Sequence, residues 1–95
     1  MKTICKSLEE VRTNIDRIDN EIVKYIAERT YYVSQAATFK KSEDGVRDPA
    51  REEKIIAKVR ALADTNGANP DMVEALYREM ISRFVDMEKK EVRER

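Results

Sequence analysis

The sequence predicts an all-α fold in which each chain forms three helices, the first of them long, and two chains intertwine as a homodimer. Apolar residues recur at alternating spacings of three and four, as they do along one face of a helix. Gly and Pro are confined to two short segments, SEDGVRDP and NGANP, which separate the three periodic segments. With 95 residues, the chain is expected to form a single domain, 1–95.

The first predicted helix extends from about Ser7 to about Lys41. Ser7 is a suitable N-cap, and Glu10 follows three residues later, as in a capping box. Without a Gly or Pro to interrupt them, roughly 35 helical residues span a length of 52 Å. The apolar face comprises Leu8, Val11, Ile15, Ile18, Ile22, Tyr25, Ile26, Val33, Ala36 and Ala37.

The length of this helix predicts the homodimer. A compact monomer of this size has a diameter of about 32 Å, so one subunit cannot cover the whole apolar face. No residue in the segment supplies a kink that would fold the helix back on itself. A second copy of the chain is therefore expected to cover the remainder.

The second and third predicted helices begin with the same device, a capping residue followed by Pro. Asp48 precedes Pro49, and Asn69 precedes Pro70, which suits the first helical position because its missing N–H would be unpaired there. Gly67 is expected to end the second helix in the left-handed conformation. The charged tail of the third helix, MEKKEVRER, is expected to fray.

Composition excludes several classes of function. The chain has 19 Lys plus Arg and 19 Asp plus Glu, and this zero net charge argues against a general nucleic-acid or membrane-surface binder. The absence of His and the single Cys argue against a metal centre, and two Gly are too few for a phosphate-binding loop. No signal peptide or membrane-length apolar run is visible, so the expected location is the cytoplasm.

Several charged residues occupy positions on or beside the predicted apolar faces. In the first helix, Arg12, Arg29 and Lys40 fall at multiples of seven residues from apolar residues of its face. In the third helix, Glu88 follows Phe84 by four residues and so lies on the apolar face as well. Buried cations require anionic partners, so they either pair with acids of a neighbouring helix, lie at the edge of the face, or bind a ligand. In an antiparallel dimer, Arg12 of one chain can lie near Arg29 and Lys40 of the other chain. The expected result is two cationic pockets for a small polyanion, and Arg favours two-pronged contacts with carboxylates.

The start of the second helix adds another cation. Arg51 lies in the first turn, where a positive charge opposes the helix dipole. A contact with a bound anion explains its position, and so does an ion pair with Glu52 or Asp48, or exposure to solvent.

These residues match a known family. The chain resembles the all-helical AroQ-type chorismate mutases, which include the isochorismate pyruvate lyases. The resemblance covers essentially the whole chain, and it is carried by LEEVRTNIDRIDNEIVKYIAER (Leu8 to Arg29), the following FKK, and VRDPARE (Val46 to Glu52). It implies an intertwined homodimer with two active sites.

The resemblance also implies an activity. The expected enzyme is an isomerase of the shikimate pathway and aromatic amino acid biosynthesis that rearranges chorismate to prephenate by a [3,3] shift, without cofactor or metal. Such a site holds the enolpyruvyl side chain in a reactive conformer and places donors at the breaking ether bond.

The family motifs imply a role for each site residue. Arg12 corresponds to an arginine supplied across the dimer to a substrate carboxylate, and Arg29 and Arg51 to the other carboxylate-binding arginines. Lys40 corresponds to the lysine that contacts the ether oxygen and a carboxylate. Asp48, chiefly through its backbone, and Glu52 correspond to positions around the substrate hydroxyl.

Two positions depart from the family pattern. Glu88 stands where bacterial mutases often carry a Gln that donates to the ether oxygen, and a carboxyl group donates only when protonated. Phe84 is bulky where family members have a smaller polar residue that contacts substrate mainly through its backbone. Both are expected to line the site.

Other functions remain open at this point. The segment YVSQAATFKKSE is similar to the lyase branch, whereas Asp48, Arg51 and Glu52 together favour a mutase. A mutase of 4-amino-4-deoxychorismate is a further alternative. A catalytically inactive dimerisation or regulatory module is another, although the retained charged residues argue against it.

Overall fold

Four helical segments make up the chain in a computed structural model, which describes residues 2–95. The α-helices are α1 (Leu8–Ala37), α2 (Pro49–Asn66) and α3 (Pro70–Glu94), and a short 3-10 helix at Glu43–Gly45 lies between α1 and α2. Residues 2–95 contain no β-strand. The prediction of three α-helices with a long first helix is confirmed for this part of the chain.

The capping residues lie where their local sequence predicts. The Ser7 hydroxyl accepts a hydrogen bond from the Glu10 N–H at 3.1 Å, although the Glu10 carboxylate accepts from Lys6 N–H instead of closing the box on Ser7. The Asn69 side chain accepts from two N–H groups of the first turn of α3. Gly67 has a φ of 77°, a left-handed conformation that favours glycine.

Helix α1 ends earlier than its sequence pattern suggests. The last helical residue is Ala37, and the next three residues bond three positions back instead of four. These bonds include Phe39 N–H to Ala36 O at 3.0 Å and Lys40 N–H to Ala37 O at 3.1 Å. Such tightening is a common way to end an α-helix. Lys40 therefore lies in a turn after α1 rather than on the helix.

The chain divides into two compact units, one that ends at Tyr32 and one that covers Val33–Arg95. The second unit holds a hydrophobic core made by the end of α1, the following loop, α2 and α3. Its members are Ala37, Val46, Ile56, Ile81, Val85 and Val92, with Ile55 and Tyr77 partly buried against them.

The first unit has no buried residue between positions 2 and 32. Its apolar side chains, from Leu8 to Ile26, are 39–64% exposed in the single chain. The segment before α1 lies against the start of the helix, where Asn14 Nδ2 is 3.5 Å from Cys5 Sγ.

Ion pairs connect α2 to α3 within the second unit. Arg78 donates to both Glu53 and Glu74, and Arg60 donates to Asp71 and Glu74. Hydrogen bonds from Arg78 lower the pKa of both Glu53 and Glu74. This network joins the two helices on an exposed surface.

The charged tail of the chain is helical as far as Glu94, so the expectation that it frays is wrong. Its side chains find partners in the loop after α1, as described below. Among residues 2–95, none of the helices combines the length and apolar character needed to cross a membrane.

Candidate active site

The start of α2 positions three of the predicted site residues, Asp48, Arg51 and Glu52. Asp48 is the N-cap, and its Oδ1 accepts a hydrogen bond from the Arg51 N–H at 3.1 Å. Pro49 occupies the first helical position, so it leaves no unpaired N–H group there. The Arg51 side chain is exposed beside the positive end of the helix dipole. The first turn of α2 therefore carries an exposed guanidinium group, which suits an anionic ligand group such as a carboxylate.

Glu52 has one carboxylate oxygen engaged and one open. Its Oε1 accepts from Arg47 Nη2 at 3.1 Å, and its side chain is only 16% exposed. Its Oε2 is buried and has no hydrogen-bond partner among the described residues. A buried acceptor without a partner is costly, and a ligand hydroxyl that donates to Oε2 would remove that cost.

Lys40 is half-buried in the turn after α1, and both of its backbone polar groups are engaged. Its N–H donates to Ala37 O, and its carbonyl accepts from Arg95 Nη2. The point from which the lysine side chain leaves the backbone is therefore held by its own turn and by the end of α3.

Phe84 and Glu88 lie one turn apart on α3. Phe84 is buried, so its ring belongs to the interior of the second unit. Glu88 is half-buried, and its Oε2 is a buried atom. This placement agrees with the prediction that Glu88 lies on the apolar stripe of its helix.

Arg12 and Arg29 belong to the first unit. Arg12 is exposed and Arg29 is half-buried on α1. They are seventeen positions apart on one continuous helix, so about 26 Å of helix axis separates them. Both remain predicted ligand contacts.

The second unit thus carries six of the eight predicted site residues, and hydrogen bonds among the described residues join only some of them. Asp48 and Arg51 share a capping bond, and Glu52 follows them on α2. Two arginines that periodicity missed also take part: Arg47 holds Glu52, and Arg95 holds the turn of Lys40. Arg47 directly precedes Asp48 and Pro49, so its position in the sequence could have indicated that it belongs to the site. Nothing in the charged tail distinguishes Arg95 from its neighbours.

Comparisons with known proteins agree on one family. The model of the family chorismate mutase type II matches residues 11–89. An isochorismate pyruvate lyase of Pseudomonas aeruginosa is 33% identical over 81 residues, which are 85% of this chain and 80% of that protein. A chorismate mutase of Methanocaldococcus jannaschii is 29% identical over 90 residues, 94% of this chain and 91% of that protein.

A longer relative contains a similar region. The bifunctional chorismate mutase/prephenate dehydratase of Aquifex aeolicus is 34% identical over 89 residues, which are 90% of this chain and 25% of that protein. The match to the family model covers most of the chain, including the motifs around Arg12, Arg29 and Asp48. The chain therefore belongs to the chorismate mutase type II family.

Proposed function

We propose that the chain, acting as one catalytic domain over residues 1–95, is a chorismate mutase that converts chorismate to prephenate. The observation that carries this proposal is the arrangement at the start of α2. There, Asp48 caps Arg51, and the buried Oε2 of Glu52 has no partner among the described residues. Such a site accepts a ligand that offers both an anionic group and a donating hydroxyl.

Chorismate, a dicarboxylate with a ring hydroxyl, has this chemistry. In the proposed complex, Arg29 and Arg51 bind carboxylates, and Arg12 of the partner subunit contributes a further contact. Glu52 accepts from the hydroxyl, with the Asp48 backbone beside it. Arginine suits these positions because its planar group binds a carboxylate through two parallel hydrogen bonds.

The proposed reaction needs no proton transfer and no covalent intermediate. The ether C–O bond of the enolpyruvyl side chain breaks while a C–C bond to the ring forms. The site accelerates this step by holding the side chain over the ring, where the two carbon atoms can meet. Lys40 and a protonated Glu88 donate hydrogen bonds to the ether oxygen, which gains negative charge as its bond breaks. Phe84 shapes the adjoining wall of the site.

We also propose that the enzyme is an intertwined homodimer. Helix α1 is 30 residues long, yet Ala37 is its only residue that is buried within the described chain. An isolated helix is marginally stable in water, and each large apolar side chain gains about 1.5–3 kcal/mol when it is fully buried. A second copy offers the same long apolar face, and a two-fold axis pairs the two faces with each other. Sharing of active-site residues between subunits follows from this arrangement.

A lyase is the second candidate, because the similarity to the isochorismate pyruvate lyase of Pseudomonas aeruginosa covers 85% of the chain. Asp48, Arg51 and Glu52 favour the mutase. Purified protein incubated with chorismate is expected to yield prephenate, measured after acid conversion to phenylpyruvate. The same protein incubated with isochorismate is expected to release little salicylate and pyruvate. Salicylate and pyruvate from isochorismate, with no prephenate from chorismate, would overturn the proposal in favour of the lyase.

Glu88 predicts a pH dependence. A carboxyl group donates a hydrogen bond only while protonated, so kcat/KM is expected to fall as the pH rises through the pKa of Glu88. Glu88→Gln keeps a donor at every pH, and its profile is expected to lose this alkaline limb. The two profiles should be measured in one buffer series at constant ionic strength. If both variants show the same alkaline limb, Glu88 is not the titrating donor.

A further inference from the structure

The turn that carries Lys40 is held by an arginine from the far end of the chain. Arg95 Nη1 donates to Ala37 O at 3.1 Å, and Arg95 Nη2 donates to Lys40 O. Ala37 O also accepts from the Lys40 N–H at 3.1 Å. One guanidinium group therefore joins both ends of the three-residue step that follows α1.

This contact has an electrostatic basis. The C-terminus of a helix carries partial negative charge on carbonyl groups that lack intrahelical partners, and a nearby cation stabilises it. The last turn of α1 contains no basic residue of its own. Arg95 supplies that positive charge from α3. Its planar fork can bind two carbonyl oxygens at once, which the single ammonium group of a lysine does less well.

Neighbouring contacts hold the same two segments together. Arg93 Nη1 pairs with Glu43 at 2.9 Å, and Ser34 Oγ donates to Glu91 at 2.8 Å. Val46 and Val92 belong to one buried cluster. The end of α3 is thus attached to the last turn of α1 before Lys40 and to the loop after it, so Arg95 acts on a segment that is restrained on both sides.

We infer that Arg95 is a positioning residue that places the Lys40 side chain for the reaction. This inference rests on the proposed function, in which Lys40 donates to the ether oxygen. A lysine side chain is long and flexible, so the position of its ammonium group depends on the position of its Cα atom. Hydrogen bonds to both the N–H and the carbonyl group of Lys40 fix the position of this Cα atom. This matters because small displacements of a reacting group have large effects on rate.

The test is the effect of Arg95→Ala on kcat. The variant is expected to lower kcat about 10-fold and to change KM less, because a displaced Lys40 weakens contacts to the transition state more than contacts to the substrate. Arg95→Lys keeps a positive charge at the end of α1 but lacks the planar fork that binds two carbonyl oxygens at once. Its kcat is expected to lie between that of the wild type and that of Arg95→Ala. Arg83→Ala is the matched control, since Arg83 is on the same helix and pairs only with Glu79 among the contacts described; its kcat should equal that of the wild type.

A double-variant cycle separates positioning from stability. In a Lys40→Ala background, the Arg95→Ala change is expected to have almost no further effect on kcat, because the group that it positions is gone. If Arg95→Ala lowers kcat by the same factor with and without Lys40, it acts through general structure and the inference is overturned. It is also overturned if kcat in Arg95→Ala equals that of the wild type. Thermal unfolding of every variant is recorded, and Arg95→Lys replaces Arg95→Ala in the cycle if the latter does not fold.

The same experiment distinguishes failure of the inference from failure of the proposed function. Lys40→Ala alone must lower kcat strongly if Lys40 is catalytic. An unchanged kcat in Lys40→Ala would contradict the proposed function and, with it, the positioning role. A strong loss in Lys40→Ala together with an additive Arg95→Ala effect would contradict the positioning role alone.

Discussion

Replacing Lys40 or Arg29 by Ala is expected to lower kcat/KM for prephenate formation by at least about 100-fold, the usual cost of removing one preorganised group that stabilises developing charge. Lys40 is expected to affect kcat most, because the charge on the ether oxygen develops only in the transition state. Arg29 is expected to affect KM as well as kcat, because a carboxylate is charged in both the substrate and the transition state. Initial rates of chorismate loss at several concentrations give both parameters.

Two control variants show whether these losses are specific. Lys41→Ala removes an exposed ammonium group at the next position, and Arg83→Ala removes an exposed guanidinium group from α3. Both are expected to retain wild-type rates. Sedimentation and thermal unfolding should show that Lys40→Ala and Arg29→Ala keep the oligomeric state and folding of the wild type. Unchanged prephenate formation in both active-site variants would contradict the site assignment and favour an inactive dimerisation module.

Mixed dimers of Arg12→Ala and Lys40→Ala chains are expected to be active, although each variant alone is nearly inactive. If Arg12 serves the site of the partner subunit, one site of the mixed dimer lacks both residues and the other site has both. The mixed dimer should therefore show about half of the wild-type activity, as expected for two equivalent sites related by a two-fold axis. Co-expression with two different affinity tags and purification on both yields the mixed dimer.

The opposite arrangement gives a clear contrary result. If Arg12 and Lys40 of the same chain share a site, each site of the mixed dimer lacks one residue, and the activity stays at the level of the variants. A mixed dimer of Arg12→Ala with Lys41→Ala chains is the control, and it should retain about half of the wild-type activity under the proposed arrangement. Failure to recover any doubly tagged species would contradict the homodimer itself.

Local sequence patterns predicted the helices, because the start of a helix depends on residues within one or two turns of it. The Asp48–Pro49 and Asn69–Pro70 pairs begin α2 and α3, and Gly67 has the expected left-handed φ of 77°. Each of these signals reflects a single cap or backbone preference, which neighbouring residues determine. The family could also be predicted, because its motifs place charged residues at fixed spacings along these helices.

The sequence predicted the C-terminal ends of α1 and α3 poorly, because longer-range contacts decide where these helices end. Helix α1 ends at Ala37 although the residues up to Lys41 include no Gly or Pro. The α3 tail stays helical although its sequence is almost entirely charged. The two ends are bonded to each other through Arg95 and Ala37, which are 58 positions apart. A pattern read along one helix contains no information about such a pairing.

The sequence by itself determined the all-α class, the helix starts, the family and the residue types of the candidate site, because periodicity, capping and motif spacing are local properties. Only the tertiary structure decided which charges are engaged. Arg47 occupies one oxygen of Glu52 and leaves the other buried without a partner among the described residues, while Arg95 holds the turn of Lys40. These choices depend on how the loop, α2 and α3 pack, because the free energy of a charged group depends on its burial and on the groups that packing brings within hydrogen-bonding distance.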